Sequence, residues 1–270
     1  MGSSKPTIAI VHVGWHIPSS YSKLTDHLQS SGLEVHIPRL PSMNETRPPN
    51  ADLATDTQLI RSYVESLVEA GRSVILVLHS YGGQVGTNAL VGLGLEARAK
   101  KGLKGSVSHL VYMCGFAQLE DKSMVDKVNE FGHGELMSLA FDFAEDKSVV
   151  CRDPKMSLLG DGQGAEESEV QEYLSSLARW NGTCMYQSIS HCAWREVPVT
   201  YVYMRSDMTV PLNYQKSMVE TMKKEGREVA TTELSTGHCP NLTKAKEVAD
   251  IILKRGAARL ARLPPTVLAA

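Results

Sequence analysis

The chain has 270 residues, 42% of them hydrophobic, and a formal net charge of −2. That length and apolar content support a large folded unit with a full core and exclude the polar, charge-rich composition of disorder. Near-neutral charge with interspersed signs leaves no electrostatic footprint for nucleic acid or an anionic membrane, and no stretch reaches the roughly 20 apolar residues of a membrane span.

In chain order, Thr7–Val13 is an almost continuous apolar run, the pattern of a strand buried on both faces. A helical stretch near Ser20–Ser30 follows, with Gly32 as its stop, and Leu33–Pro38 reads as a second strand. Turn chemistry runs from Pro38 to Pro49. Ile60, Val64, Leu67 and Val68 then fall at helical spacing between Asp52 and Ala70. Ser73–His79 is the most strand-like run, and a glycine-containing turn into a helix follows it directly. Val107–Cys114, Pro198–Met204 and Glu228–Leu234 read as three further strands, separated by helical patterns such as Leu212–Glu225 and Asn241–Arg255. Strands alternating with helices predict an α/β fold with a mostly parallel sheet of about six strands.

The alternation breaks between Phe116 and Glu196, where strand signals are weak and helix-like stretches such as Glu166–Ala178 alternate with glycine-rich loops. This predicts a core formed by residues 1–116 and 197–270, with residues 117–196 inserted as a mainly helical lid. Gly256–Ala270 reads as a helix continuation and a frayed end. The five cysteines, Cys114, Cys151, Cys184, Cys192 and Cys239, show no C-x-x-C pairing, so neither a zinc cluster nor a disulfide framework is expected. Met1–Lys5 is polar and the apolar run after it is short, which does not fit a secretory signal; a cytoplasmic location is the expectation.

The strongest chemical signal is Leu78-His79-Ser80-Tyr81-Gly82-Gly83, directly after the best strand. The nucleophile elbow G-x-S-x-G holds a serine on a sharp strand-to-helix turn. Here Gly82 supplies the second glycine and Leu78 replaces the first. An ordinary glycine turn opening a helix would read the same. A serine hydroxyl needs a base to take its proton and a carboxylate to orient that base. Asp207 and His238 each follow a predicted strand, in the order serine, acid, histidine. Three coincident placements make Ser80, Asp207 and His238 the candidate catalytic triad.

Acyl transfer also needs donors for the developing oxyanion. The N–H of Tyr81, at a helix N-terminus, and that of Gly14, in the loop after the first strand, are the candidates. Trp15 and His16 are candidates to line the pocket, with plain packing as the alternative. His191 and Trp194, in the presumed lid, are further candidates for substrate contact. His79 reads as a structural hydrogen-bonder and Cys239 as packing. Neither metal-ligand spacing nor a G-x-G-x-x-G nucleotide loop appears, so no metal or cofactor is expected.

The runs His12–His16, Val77–Gly83, Ser206–Pro211 with Gln215, Gly237–Pro240 and Leu242–Ala249 carry a family resemblance. The chain resembles the α/β-hydrolase group that includes plant methyl esterases and hydroxynitrile lyases, and especially small fungal hydrolases with an H-S-Y-G-G elbow. The resemblance spans about residues 6–116 and 197–255; a hydrophobic residue at the Leu78 position is familiar in the fungal branch. It implies the α/β-hydrolase fold and the triad named above. The related lyases carry a threonine in the first-strand loop and a lysine after the catalytic histidine, where this chain has Val13 and Cys239. Neither residue suits cyanohydrin chemistry, so hydrolysis of a small to medium apolar ester or lactone is the expectation. Two other outcomes on the same pocket stay open: a cyclase, thioester-releasing or C–C-cleaving enzyme of secondary metabolism, and a non-catalytic receptor. The expected partner is a small apolar molecule, with no nucleic acid and no membrane; a homodimer is compatible with the sequence.

Overall fold

Side chains alternate across each central strand, so a run that is apolar throughout must be covered on both sides. Ile8, Ile10, Ile75 and Val77 pack into one apolar cluster, while Ala9, Val11, Val74, Leu76 and Leu78 pack into another on the opposite face. Each such side chain, moved from water to the interior, contributes roughly 1.5–3 kcal/mol.

The computed structural model describes residues 5–260. Its first half runs β1 (Thr7–Val11), α1 (Ser22–Ser30), β2 (Glu34–His36), α2 (Leu53–Glu69), β3 (Ser73–His79), α3 (Tyr81–Ala89), α4 (Leu95–Ala99) and β4 (Ser106–Met113). The segment that follows holds α5 (Met124–Glu130), α6 (Met137–Ala140), β5 (Phe141–Phe143), β6 (Ser148–Cys151), α7 (Glu167–Ser175) and β7 (Trp180–Asn181), together with single 3-10 and π turns. The chain then returns through β8 (Val199–Met204), α8 (Leu212–Lys224), β9 (Val229–Leu234), α9 (Pro240–Thr243) and α10 (Ala245–Leu260).

Six strands form one sheet in the order β2-β1-β3-β4-β8-β9, every pair parallel. Leu24 and Leu28 of α1, with Val248, Ala249 and Ile252 of α10, cover one face. Ile60, Val64 and Val68 of α2, Val85 of α3, and Met218 and Met222 of α8 cover the other. The first turn of α2 is secured by Asp52, whose Oδ1 accepts from Thr55 N at 3.1 Å.

Two departures from the sequence reading have physical causes. The helix expected over 241–255 is broken at Lys244 into α9 and α10. Pro240 starts α9, and Thr243 Oγ1 is engaged by Cys239 O and Thr236 Oγ1. The helix-rich insertion also contains a three-stranded antiparallel sheet, β5-β6-β7. Its strands are too short for two-residue periodicity to register. Residues 261–270, the expected frayed end, lie outside the described residues. Among the described residues no helix is long and apolar enough to cross a membrane.

Candidate active site

The loops leaving the C-terminal ends of β1, β3, β4, β8 and β9 meet above the sheet, where parallel α/β sheets bind their ligands. Four non-glycine residues in these loops have positive φ: Trp15 (φ 64°), Ser80 (φ 52°), Cys114 (φ 39°) and Asp121 (φ 61°). Such conformations cost roughly 1–3 kcal/mol each and persist only where the surroundings hold them.

Ser80 sits between β3 and α3 with φ 52° and ψ −115°. Its N–H donates to Met113 O at 3.1 Å, and its carbonyl accepts from Gly83 N at 2.8 Å and Phe116 N at 3.0 Å. The sharp turn presses α3 against β1, so a Cβ on Gly82 would lie 2.0 Å from Val11 O. Only glycine fits there. At the position two residues before Ser80, Leu78 is fully buried, and Gly86 of α3 leaves the space it occupies: a Cβ on Gly86 would lie 2.3 Å from Leu78 Cδ2.

Asp207 and His238 are brought together. His238 Nδ1 donates to Asp207 Oδ2 at 2.7 Å, with both side chains shielded from solvent. Asp207 Oδ1 accepts from the N–H groups of Thr209 and Val210, each at 2.8 Å. Gln215 staples this loop to β8, accepting from Met204 N and donating to Met204 O and Val210 O. With its Nδ1 proton directed at Asp207, His238 keeps a lone pair on Nε2, which is buried and makes no hydrogen bond. Cys114 Sγ also lies 3.5 Å from His238 Nδ1, but burial pushes its thiol pKa well up, so it stays neutral beside the pair.

Three buried histidines anchor the surrounding loops, and their carbonyl partners assign the tautomers. His79 Nε2 faces His238 O at 2.8 Å and must donate, so His79 Nδ1 accepts from Tyr21 Oη at 2.6 Å, which itself accepts from Val13 N. His12 Nδ1 donates to Val13 O at 2.9 Å, and its Nε2 accepts from Leu40 N. His16 Nδ1 donates to Gly14 O and its Nε2 accepts from Tyr173 Oη, both at 2.6 Å. Burial lowers His12 to about 4, His16 to about 3 and His79 well below its ordinary value, so all three are neutral. The backbone after β1 is thereby tied down at Val13 N, Val13 O and Gly14 O.

Ser80, Tyr81, Gly14 and Trp15 border a narrow pocket with a cavity volume of about 30 Å³. Phe116, Phe141 and Trp180 supply aromatic wall, and Met124, Met137 and Met185 supply flexible apolar wall. Among the described residues, no charged side chain lines it. The indole N–H groups of Trp15 and Trp180 are already given to Val149 O and Ser42 Oγ. Thr209 Oγ1 donates to Ser157 O, and Tyr81 Oη donates to Asp56. Among the lining side chains, this leaves the Ser80 hydroxyl as the polar group not committed to the protein.

The other expected contact residues stand elsewhere. His16 is buried behind the Gly14 loop with both nitrogens engaged, and Trp194 is buried with its Nε1 on Gln118 O. His191 is exposed, and its backbone N–H bonds Asn88. None of the three lines the pocket. Packing took the His16 and Trp194 rings because an aromatic or imidazole side chain fills a core as readily as a ligand wall, whereas the His191 ring faces solvent. Sequence reading overlooked Asp56, a carboxylate at the heart of the buried stripe Leu53, Asp56, Ile60, Val64 and Val68 of α2. A charged residue within an apolar helical stripe was the available signal.

Comparison with known proteins agrees with this architecture. The profile of the alpha/beta hydrolase family matches residues 8–251. "Probable hydrolase R7" of Phoma sp. is 27% identical over 260 residues, spanning 92% of this chain and 97% of that protein. "Alpha/beta hydrolase nvfD" of Aspergillus novofumigatus is likewise 27% identical, over 92% of this chain and 95% of its own. Among solved structures, polyneuridine aldehyde esterase superposes with a TM-score of 0.71 at 18% identity, covering 93% of this chain and 99% of that one.

Proposed function

The chain belongs to the alpha/beta hydrolase family, and from that premise we propose that it hydrolyses a small to medium, uncharged, apolar carboxylic ester or lactone, with Ser80 as nucleophile, His238 as base and Asp207 as the orienting acid. The observation that carries this reading is a strained serine opening onto an apolar pocket, whose neighbour His79 holds the carbonyl of a buried histidine that is itself bonded to a carboxylate. His238 Nε2 takes the Ser80 proton as Oγ attacks the ester carbon, and Asp207 stabilises the imidazolium. The N–H groups of Gly14 and Tyr81 hold the tetrahedral oxyanion. Collapse expels the alcohol, which carries off the proton from His238. A water molecule, deprotonated by the same nitrogen, then attacks the acyl-enzyme and releases the acid, returning the proton to Ser80. The Ser80–His238 hydrogen bond forms as substrate enters, in keeping with serine–histidine contacts that tighten in the Michaelis complex.

The wall chemistry supports an uncharged substrate, since a carboxylate entering the pocket would lose its hydration with no cation to meet it. Val13 and Cys239 support hydrolysis over cyanohydrin cleavage. Val13 is buried, with its N–H on Tyr21, and Cys239 lies against His16 with its thiol pKa pushed up by burial. Residues 117–196 act as the lid, contributing Met124, Met137, Phe141, Trp180 and Met185 to the wall.

The test is turnover of p-nitrophenyl esters from acetate to octanoate, with a half-ester of a dicarboxylic acid as the charged control. Wild type should show a chain-length optimum and discriminate against the charged acyl group, and Ser80→Ala should lose about a thousandfold or more in kcat. Near-normal turnover by Ser80→Ala, or none by folded wild type on any ester, would overturn the reading.

A further inference from the structure

We infer that Asp56 and Ser42, which lie outside the pocket wall, form a positioning pair that fixes the two proposed oxyanion donors, Gly14 and Tyr81, relative to one another. The inference rests on the reading of Ser80 as nucleophile. It starts from a buried carboxylate that none of the proposed steps uses.

Asp56 is fully buried in the first turns of α2. Three donors converge on it: Ser42 N on Oδ1 at 2.9 Å, Ser42 Oγ on Oδ2 at 2.5 Å, and Tyr81 Oη on Oδ2 at 2.7 Å. Burial pushes its carboxyl up to about 6, so at neutral pH the ion persists in the interior because these donors replace its water. Such an ion is costly to keep unless its ordering of the surroundings is useful.

The two arms of this network end on Tyr81 and on Gly14, which border the pocket together with Ser80. The first is Tyr81 itself, whose ring is buried and whose backbone N–H is the donor next to the nucleophile. Anchoring Oη at Asp56 prevents the ring, and the first turn of α3 with it, from rotating. The second arm passes through Ser42, whose Oγ accepts from Trp180 Nε1 at 3.2 Å. The Trp180 ring lies directly on Gly14: a Cβ at Gly14 would meet Trp180 Cε3 at 2.8 Å. Trp180 also packs against the Tyr81 ring with centroids 4.7 Å apart, which closes the circuit. One carboxylate therefore reaches both Tyr81 and the ring packed on Gly14. His16 grips the same loop from behind at Gly14 O, so the glycine is clamped between a histidine and a tryptophan.

An oxyanion hole works through donors already in place, and small displacements of them cost rate while leaving ground-state binding intact. Tyr81→Phe deletes one hydroxyl and Ser42→Ala one hydroxyl; Asp56→Asn turns an acceptor into a donor facing donors. For Tyr81→Phe and Ser42→Ala the expected result is a fall in kcat of about 10- to 100-fold, with KM within about threefold of wild type. Affinity for an alkyl trifluoromethyl ketone, whose adduct with Ser80 carries the oxyanion, should fall in parallel. Asp56→Asn should combine both losses; should it not fold, the two milder variants carry the test alone. Wild-type kcat and ketone affinity in both milder variants, or an effect confined to KM, would overturn the inference while Ser80-dependent turnover left the hydrolase reading standing. Absence of Ser80-dependent turnover in wild type would overturn both.

Discussion

The site is built on neutral imidazoles, and their neutrality has a consequence for stability. His12, His16 and His79 each donate through one nitrogen to a carbonyl and accept through the other. Protonation would place a proton on the accepting nitrogen, against Leu40 N–H at His12 and against hydroxyls at the other two. Their pKa values in the folded protein therefore lie below the unfolded value of about 6.5: about 4 for His12, about 3 for His16, and well below the ordinary value for His79. A depressed histidine binds fewer protons folded than unfolded, so its contribution is complete above pH 6.5 and is lost as pH falls toward 4. Asp56 acts in the opposite sense, since its raised value lets the folded state bind a proton first between about 6 and its unfolded value near 3.8. His109, half-buried on β4, is likewise lowered to about 4 by burial; four histidines against one carboxylate leave a net uptake of roughly three protons on unfolding, and stability should fall by a few kcal/mol per pH unit between 6 and 4. Urea unfolding at pH 7, 6 and 5 measures this directly. A flat profile across that range would mean that the buried histidines are charged in the folded protein.

At the level of elements, the close packing of the elbow is shared between β3 and α3. Leu78 stands where the G-x-S-x-G pattern has its first glycine, and Gly86, two turns into α3, yields the volume that Leu78 takes up. Gly86→Ala should therefore destabilise by about 1–3 kcal/mol through overpacking, despite the better helix propensity of alanine. Leu78→Ala should cost about 2–5 kcal/mol through the cavity it leaves. The double variant should be more stable than the sum of the two, because each change relieves the defect of the other; additive urea midpoints would show that the two sites do not share this space. This trade explains why the turn at Ser80-Tyr81-Gly82 forms without the first glycine. The core strands were legible for a related reason: Ser73–His79 and Thr7–Val11 are apolar on both faces because both are covered. Asp207 and His238 could be placed because each follows a strand of the parallel sheet within four residues, β8 buried throughout and β9 at the edge. The part of the pocket wall supplied by residues 117–196 could not be read. Phe141, Trp180 and Met185 arrive through strands of three or fewer residues and an irregular turn, and no period in the sequence links them to Ser80.

At the scale of the whole molecule, residues 117–196 are an insertion in the topology of the parallel sheet but not a separate unit in its packing. Leu158, Trp180, Cys184 and Trp194 of residues 117–196 belong to the same apolar cluster as Leu76, Leu78 and Tyr112 of the central strands. Polar ties cross the division as well. Ala178 N donates to Trp15 O at 2.7 Å, Asn181 Nδ2 to Ala51 O at 2.8 Å, and Cys239 N to Leu158 O at 2.9 Å. Arg47 pairs with Asp146 at 2.6 Å, but as a largely exposed pair it adds little. A lid resting on a finished core would unfold ahead of it; a segment that completes the core cannot leave without opening apolar surface on both sides. The chain should therefore unfold in one transition. Trp15 reports from the β1 loop and Trp180 and Trp194 from the insertion, so tryptophan fluorescence samples both parts while far-UV circular dichroism follows the parallel sheet and its helices. Coincident urea midpoints by the two probes are the expected result. A fluorescence change completed at lower urea than the loss of helix signal would show instead that residues 117–196 detach as a unit, and that the pocket wall is assembled on a core stable without it.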